Sequence, residues 1–175
     1  MESLKSLEDG GYIDLSFGDE SHSGLTPNVP YAWQRKENPI LLPAAKGKFL
    51  HVIGSMTRRN TLFFEALEST CNTDKVIGFM DRFVAQVNKK TVVILDNSPI
   101  HKSKKFIAKS EEWKEKEVLI FFLPACSPEL NLIEILWRRI KYQWIPFDAY
   151  GCFENLKERL TEVLTNCGGK YDIIF

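Results

Sequence analysis

The sequence predicts an α/β fold in which helices pack against the faces of a mixed β-sheet. Residues 91–95 and 118–123 are almost wholly apolar and rich in β-branched or aromatic side chains, as strands buried on both faces are. Strand-like runs precede them, and segments with helical periodicity lie between and after them. This order, early strands followed by alternating helices and strands, favours a mixed sheet.

The first half of the chain supplies the early strands. After a polar leader, residues 12–19 read as a strand, and the Gly- and Pro-rich residues 24–30 read as a turn. Residues 31–34 are a short strand candidate. Residues 48–56 form a further strand, and after a turn at 57–60 residues 61–65 form its hairpin partner. The first half therefore predicts antiparallel pairing.

The second half alternates helices with buried strands. In residues 73–88 the apolar side chains recur every three or four positions, which predicts an amphipathic helix. The strand at 91–95 follows, then a charged helix over 103–117 and the strand at 118–123. Helices are predicted over 132–144 and 153–165, and residues 171–175 are a possible terminal strand. We find no repeat or linker, so residues 1–175 are predicted to form one domain.

The composition is that of an ordinary globular protein, with 44% hydrophobic and 26% charged residues among 175. We expect no membrane partner, because no apolar run is long enough to cross a bilayer and the first residues lack a signal-peptide core. The expected location is the cytoplasm, beside the nucleoid. A net charge of zero argues against a strongly basic domain that coats DNA by itself.

The four cysteines show no Cys-x-x-Cys pair and no matching histidine spacing. This pattern argues against a zinc site and favours reduced cysteines that pack in the interior. They are Cys71, Cys126, Cys152 and Cys167.

Three carboxylates are the candidate catalytic and metal-binding residues. Asp19 closes the first strand-like run, Asp96 directly follows the apolar strand at 91–95, and Glu134 lies near the start of a helix. Carboxylate oxygens suit Mg²⁺ or Mn²⁺, and a pair of such ions can assist both the attacking and the leaving oxygen in phosphoryl transfer. These residues predict a metal-dependent nuclease or strand-transfer core.

Each carboxylate also has a structural interpretation. Asp96 could bond nearby backbone amides in a turn, although the carboxyl end of a central strand is where α/β sheets place their sites. Glu134 could complete a capping box with Asn131, or pair with Arg138 on the same helical face. These readings stay open at the level of sequence.

Asp19 has two competitors, Asp14 and Glu20. Alternation along a strand puts Glu20 on the face opposite Asp19, so the two are not expected to reach one metal ion. Asp14 lies nearer the strand start and is the weaker candidate. His22 and His101 are candidates for binding a phosphate or holding a ligating carboxylate in place.

The segments around these residues resemble three catalytic blocks of insertion-sequence transposases of the IS630 and Tc1/mariner superfamily. The first block is Phe17-Gly-Asp-Glu-Ser-His22 with Leu25-Thr-Pro-Asn-Val-Pro-Tyr-Ala-Trp33, and the second is Ile94-Leu-Asp-Asn97 with His101-Lys-Ser103. The third comprises Leu123-Pro124, Ser127-Pro128, Leu130-Asn131 and Ile133-Glu134, followed by Trp137 and Lys141. All three occur in the order of the family and together cover nearly the whole chain.

The resemblance implies an RNase H-like fold with a DDE triad at Asp19, Asp96 and Glu134. It implies Mg²⁺ as cofactor, with Mn²⁺ as a substitute and two ions bridged by Asp19. The implied chemistry is cleavage and strand transfer of double-stranded DNA at transposon ends, with target DNA as a further partner. Asn97, His101, Arg138 and Lys141 are expected to contact phosphate or to support the ligands.

The sequence departs from the family at two points. Only a short leader precedes the first strand, so the helix-turn-helix domain that such transposases carry is expected to be absent or supplied separately. Leu132 stands where the family often has proline, which should only loosen the helix entry. A homodimer is a further expectation.

Two other functions fit the same residues. One is an RNase H or resolvase-type nuclease with another substrate, because carboxylates do not name the substrate. The other is a non-catalytic or truncated remnant that only binds DNA or a partner. If the triad is correct, the three carboxylates should converge to within roughly 3–5 Å, as ligands of shared ions do. Their mutual repulsion predicts that Asp96→Asn stabilises the metal-free protein.

Overall fold

A computed structural model describes residues 1–28, 35–37, 48–125 and 127–175 of the chain. The strand candidate at 31–34 lies outside these residues. The helices are α1 (Glu2–Asp9), α2 (Thr73–Val84), α3 (Lys104–Glu115), α4 (Ile133–Arg139) and α5 (Phe153–Thr165). The strands are β1 (Asp14–Gly24), β2 (Phe49–Thr57), β3 (Leu62–Leu67), β4 (Thr91–Leu95) and β5 (Val118–Phe122). A π-helical turn, Ile140–Trp144, continues α4.

The strands of the described residues form one mixed sheet of five, in the order β3-β2-β1-β4-β5. β1, β2 and β3 are antiparallel neighbours, whereas β4 runs parallel to both β1 and β5. The predicted mixed sheet with flanking helices is therefore confirmed. β1 lies in the middle, so its side chains meet neighbours from both halves of the sheet.

Each face of the sheet carries its own apolar core. One core contains Leu15, Phe17 and Ile94 and is covered by α4 and α5. The other contains Val93 and Leu95 and is covered by α2 and α3. Because successive strand residues point to opposite faces, β4 contributes alternate side chains to the two cores, whereas the apolar side chains of β1 belong to the first. The buried runs that predicted these strands reflect this burial on both faces.

Side-chain caps fix the starts of the two helices on the second face. The Asn72 side chain accepts a hydrogen bond from the N–H of Lys75 at 3.0 Å, and Ser103 accepts one from Phe106 at 3.2 Å. Such caps satisfy backbone donors that a helix leaves free at its first turn. They place α2 and α3 close to the predicted starts.

Four local predictions need correction. The polar leader contains a helix, α1, and β1 continues to Gly24 rather than ending at Asp19, because its outer half still pairs with β2. Residues 171–175 form no strand; Tyr171 makes only an isolated bridge with Cys167. Cys152 is exposed rather than packed, and its Sγ accepts the N–H of Asn155 at the start of α5.

Within the described ranges, no helix combines the length and the apolar character needed to cross a bilayer.

Candidate active site

Asp19 and Asp96 lie side by side on neighbouring strands. Phe17 of β1 pairs with Ile94 of β4, and each aspartate comes two residues later, Asp19 within β1 and Asp96 directly after the end of β4. Alternation puts Asp19 on the sheet face that α4 and α5 cover, and Asp96 lies at the end of β4 beside the cleft that Glu134 also lines. Asp96 follows the last residue of β4, as predicted, whereas Asp19 lies inside the longer β1.

Helix α4 contacts Asp19 directly. The indole Nε1–H of Trp137 donates a hydrogen bond to Asp19 Oδ2 at 3.0 Å. Gly54 is the cross-strand partner of Asp19, and a Cβ atom at that position would lie 3.0 Å from the Trp137 ring and 3.1 Å from Ile133. The missing side chain of Gly54 therefore leaves the space in which the indole reaches Asp19.

Asp19 is held in an environment that disfavours its charge. Burial, and then the nearby carboxylates of Glu20 and Glu134, raise the pKa of Asp19 from 3.8 to about 7. Asp96 adds a smaller effect in the same direction. A cation among these carboxylates would favour the ionised form of Asp19 and so oppose the effects of burial and of carboxylate repulsion on its pKa.

Asp96 is in the opposite situation. Its Oδ1 accepts hydrogen bonds from His101 Nδ1–H at 2.8 Å and from the N–H of Ser98 at 3.0 Å. The bond from His101 is the main cause that lowers the pKa of Asp96. Among the described residues, none donates a hydrogen bond to Oδ2 of Asp96, so this oxygen is available to a ligand.

His101 is fully buried between two carboxylates. Its Nδ1 bonds Asp96, and its Nε2 bonds Glu20 Oε1 at 3.0 Å. Burial alone would lower the pKa of His101, but the two hydrogen bonds outweigh it and raise the pKa to about 10. The ring has no surface left for a phosphate, which excludes that predicted role and leaves the one of supporting Asp96.

Glu134 lies in the first turn of α4 and is half-buried. It lines the same cleft as Asp96, with a volume of about 280 Å³. Among the described ion pairs, none joins Glu134 to Arg138. The surface-pair interpretation of Glu134 is therefore wrong, and its carboxylate belongs to the cleft.

The capping-box interpretation also fails, because Asn131 has another partner. Its Nδ2–H donates to the carbonyl of Gly18 at 3.0 Å, and Leu132 rather than Asn131 is the N-cap residue of α4. Asn131 is buried beside the cleft, and its Oδ1 has no hydrogen-bond partner among the described residues; the same holds for Ser98 Oγ. These two oxygens are polar groups that a bound ligand or water would satisfy.

Of the other predicted residues, Asn97 lines the cleft, whereas Arg138 and Lys141 lie further along the helical segment that carries Glu134. Asn97 donates from Nδ2 to the carbonyl of Leu123, which ties the ends of β4 and β5 together. Arg138 is exposed and Lys141 is half-buried, on α4 and the turn that continues it.

Asp14 and His22, the remaining candidates from the sequence, contact other residues. Asp14 pairs with Lys89 at the start of β1, and the His22 ring lies 5.4 Å from Phe49.

Sequence reasoning missed the roles of Trp137, Asn131 and Glu20. All three act across the fold, and their only local signal is position: the two α4-region residues flank Glu134, and Glu20 follows Asp19. An indole three residues after a candidate helix ligand is a signal that could have identified Trp137.

The three carboxylates do not form a closed metal-binding group. Within the described parts of the chain, no three His, Cys, Asp or Glu side chains lie close enough together to hold a metal ion. The predicted close approach is therefore not formed, although the nearby carboxylates contribute, after burial, to the raised pKa of Asp19. The donor set still fits a hard divalent cation, because it offers carboxylate oxygens and the unpartnered Asn131 Oδ1.

A sequence profile of the DDE superfamily endonucleases matches residues 14–157. The match covers most of the chain and includes all three carboxylates. The chain belongs to this family of nuclease-type enzymes. A comparison with curated protein sequences finds no significant match.

Solved structures with the same architecture include transposase and integrase catalytic domains. The Mos1 mariner paired-end complex with Mn gives a TM-score of 0.62 at 17% identity, covering 94% of this chain and 52% of that chain. The Mos1 strand transfer complex gives 0.61 at 16%, covering 94% and 51%. The catalytic core domain of HTLV-2 integrase in complex with magnesium gives 0.54 at 13%, covering 87% and 84%.

These similarities establish the RNase H-like fold. The chain spans about half the length of the Mos1 chains in these two complexes.

Proposed function

We propose that this chain is the catalytic core of a transposase of the IS630 and Tc1/mariner superfamily, which cleaves DNA strands at transposon ends and joins them to target DNA. The observation that carries the proposal is the placement of Asp19 and Asp96 on neighbouring strands, with Glu134 on the helix that bonds Asp19 through Trp137. Membership of the endonuclease family supports it, as does the fold shared with Mos1.

Asp19, Asp96 and Glu134 are the residues that would hold divalent cations, Mg²⁺ or in its place Mn²⁺, and we expect two ions. Bound there, the cations supply charge neutralisation for in-line phosphoryl transfer and favour ionisation of the attacking oxygen. No covalent bond between the protein and DNA is required.

The protein's own contribution is to prepare the two aspartates differently. His101 and the N–H of Ser98 hold Asp96 ionised and fix one of its oxygens. Asp19, with a pKa of about 7, is partly protonated near neutral pH and must lose that proton to become a ligand. Trp137 holds one Asp19 oxygen while this happens. Binding of the divalent cation should therefore strengthen as pH rises through 7.

Double-stranded DNA is the proposed substrate, and cations near the cleft are its proposed contacts. Arg138 is exposed one turn after Glu134, and Lys141 lies one turn further. A net charge of zero offers little counterion release, so binding by the core alone should be weak. We assign selection of the transposon ends to a separate helix-turn-helix domain, because base-edge readout normally needs a helix in the major groove. We also propose that the core acts as a homodimer.

The test is a nicking assay on supercoiled plasmid with Mn²⁺, Mg²⁺ or EDTA, comparing the wild type with Glu134→Gln. Glu134→Gln keeps the shape of the side chain but removes its charge, so the wild type should nick with Mn²⁺ and the variant should not. A matched control is Glu129→Gln, an exposed glutamate in the 3₁₀ turn just before α4. Equal nicking by the wild type and Glu134→Gln would contradict the assignment.

Substrate preference separates the remaining functions. Faster cutting of RNA–DNA hybrids or of four-way junctions than of linear duplex would indicate an RNase H or resolvase-type nuclease. Calorimetry with Mn²⁺ addresses the other alternative, because a protein that only binds DNA or a partner has no need of a metal ion. Failure of the wild type to bind Mn²⁺ would therefore favour the non-catalytic remnant.

A further inference from the structure

A buried histidine connects the proposed ligand Asp96 to a second carboxylate on the other side of the ring. His101 Nδ1–H donates to Asp96 Oδ1 at 2.8 Å, and Nε2–H donates to Glu20 Oε1 at 3.0 Å. The His101 side chain is 1% exposed and that of Glu20 is 18% exposed, whereas that of Asp96 is 51% exposed. The chain of contacts thus runs from the interior to the cleft.

The chemistry of the groups fixes the orientation of the ring. An ionised carboxylate only accepts hydrogen bonds, so both ring nitrogens must donate. A ring bonded at both nitrogens to groups on different elements cannot rotate without breaking one bond. Phe106, whose ring centroid lies 5.6 Å from that of His101, packs beside it. His101 is therefore held in one orientation.

Glu20 is suited to this role because it cannot act as a ligand beside Asp19. The two residues are consecutive in β1, so their side chains leave opposite faces of the sheet. Asp19 reaches the face of α4, where Trp137 bonds it. Glu20 reaches the other face, where His101 lies. β1 thus carries Asp19 itself and also carries Glu20, which contacts Asp96 through His101.

We infer that Glu20 is a positioning residue that acts through His101: it holds the ring so that Asp96 Oδ1 is anchored and Oδ2 is presented to the cleft for a divalent cation. This inference rests on the proposed function. The two consecutive residues thus have different roles. Asp19 is a proposed ligand of the cation, and Glu20 supports the other proposed ligand, Asp96, through His101.

The experiment is Mn²⁺ binding measured by calorimetry and by the electron paramagnetic resonance signal of free Mn²⁺. Glu20→Leu removes the acceptor for Nε2–H and should weaken Mn²⁺ binding by about 10–100-fold, the usual effect of losing a partner that orients a metal ligand. Glu20→Gln keeps an oxygen acceptor and should bind within about threefold of wild type. Glu65→Leu is the matched control, since Glu65 is also a strand glutamate: it lies on edge strand β3 and forms an ion pair with Arg82 of α2.

A second pair of variants tests whether Glu20 acts through the ring. His101→Asn can still donate to Asp96 but is too short to reach Glu20, so adding Glu20→Leu to it should cause no further loss of Mn²⁺ affinity. The nuclear magnetic resonance signal of Nδ1–H should be protected in the wild type and in Glu20→Gln, and exchange rapidly in Glu20→Leu.

If Glu20→Leu does not fold, the double variant Glu20→Leu/His101→Leu replaces both buried polar partners by apolar groups and avoids an unpaired charge. It should fold and bind Mn²⁺ about 10–100-fold more weakly than wild type. Wild-type affinity in a folded Glu20→Leu or in this double variant would overturn the inference alone. A wild type that binds no Mn²⁺ would overturn the proposed function together with the inference.

Discussion

Asp19 and Asp96 have opposite electrostatic environments, although they come from neighbouring strands. Burial and neighbouring carboxylates raise the pKa of Asp19 to about 7, whereas His101 lowers that of Asp96. The repulsion expected among three metal-free carboxylates is therefore concentrated on Asp19. The expectation that Asp96→Asn stabilises the metal-free protein is not supported, because Asp96 is stabilised by an ion pair.

We predict that Asp19→Asn stabilises the metal-free protein and that Asp96→Asn destabilises it. At pH 8 the gain for Asp19→Asn should be about 1–3 kcal/mol, below the ceiling of roughly 4 kcal/mol that such a pKa shift allows. Asp96→Asn should lose about 1.5–3 kcal/mol, the value of a hydrogen bond to a charged group. Urea denaturation in EDTA measures both, and the same sign for both variants would contradict the assignment.

The raised pKa of Asp19 also predicts a pH dependence. The folded protein holds this proton up to about pH 7, while the unfolded chain releases it near 3.8. The contribution of Asp19 to stability is thus complete below pH 3.8, falls as pH rises towards 7, and stays low above it. His101 adds its own loss at higher pH, because its folded pKa is raised to about 10. The difference between wild type and Asp19→Asn, measured from pH 4.5 to 8 in EDTA, should isolate Asp19; a flat difference would contradict it.

Helix α4 depends on tertiary contacts more than on its own sequence. It has only seven residues, and no side chain caps its start. Ile133, Leu136 and Trp137 are buried against the sheet, and Asn131 bonds the carbonyl of Gly18 just before Asp19. The position of Glu134 is therefore set by how closely α4 approaches β1 and β2.

We predict that Gly54→Ala moves α4 away from the sheet and weakens Mn²⁺ binding. The added Cβ would lie 3.0 Å from Trp137 and 3.1 Å from Ile133, so both must shift. Overpacking of this kind costs about 1–3 kcal/mol. Gly78→Ala in α2 is the control, because its nearest heavy atom is the flexible end of Arg82 at 3.5 Å. It should gain about 0.5–1 kcal/mol from helix propensity and leave Mn²⁺ affinity unchanged.

Local patterns predicted the elements whose burial is continuous or periodic. Residues 91–95 are buried throughout and 153–165 carry a regular apolar face, so β4 and α5 match their predicted bounds. The polar helix α1 has no buried residue and gave no such signal.

The site contacts that escaped prediction join residues far apart in sequence. Glu20 and His101 are separated by 81 positions, and Asn131 and Gly18 by 113. No local periodicity encodes such bonds, because they depend on how the strands are ordered in the sheet. The sequence offered the three carboxylates as candidates and His101 as a possible support, whereas the contacts of Trp137, Asn131 and Glu20 were not predicted.

The balance of charge over the whole chain would limit its affinity for the proposed DNA substrate. With 23 basic and 23 acidic residues, the protein has no net charge to attract a polyanion. Many cations are also neutralised locally, as Lys105 is by Asp74 and Lys157 by Glu68. The proposed DNA binding would therefore rely on a few exposed cations, such as Arg138 one turn after Glu134.

We predict that Arg138→Ala weakens binding to all duplex sequences alike and reduces the salt dependence of log Kd by about 1, as expected for one lost phosphate contact. Lys116→Ala is the control, since Lys116 is an exposed cation at the end of α3, next to the start rather than the end of β5. Fluorescence anisotropy over a salt series measures both slopes. An unchanged slope in Arg138→Ala would exclude this residue from the DNA contact.

The central position of β1 determines when the site is assembled during folding. β2 pairs with β3 across the short connection 58–61 and β1 pairs with β2 across residues 25–48, whereas the pairing of Asp14 with Thr91 must close a much longer segment of chain. Asp19 and Asp96 therefore meet late, after the rate-limiting step if the antiparallel strands form the nucleus. Mn²⁺ should then slow unfolding and leave the refolding rate unchanged, which stopped-flow measurements with and without the ion can determine. The metal ion would then stabilise the folded state without speeding its formation.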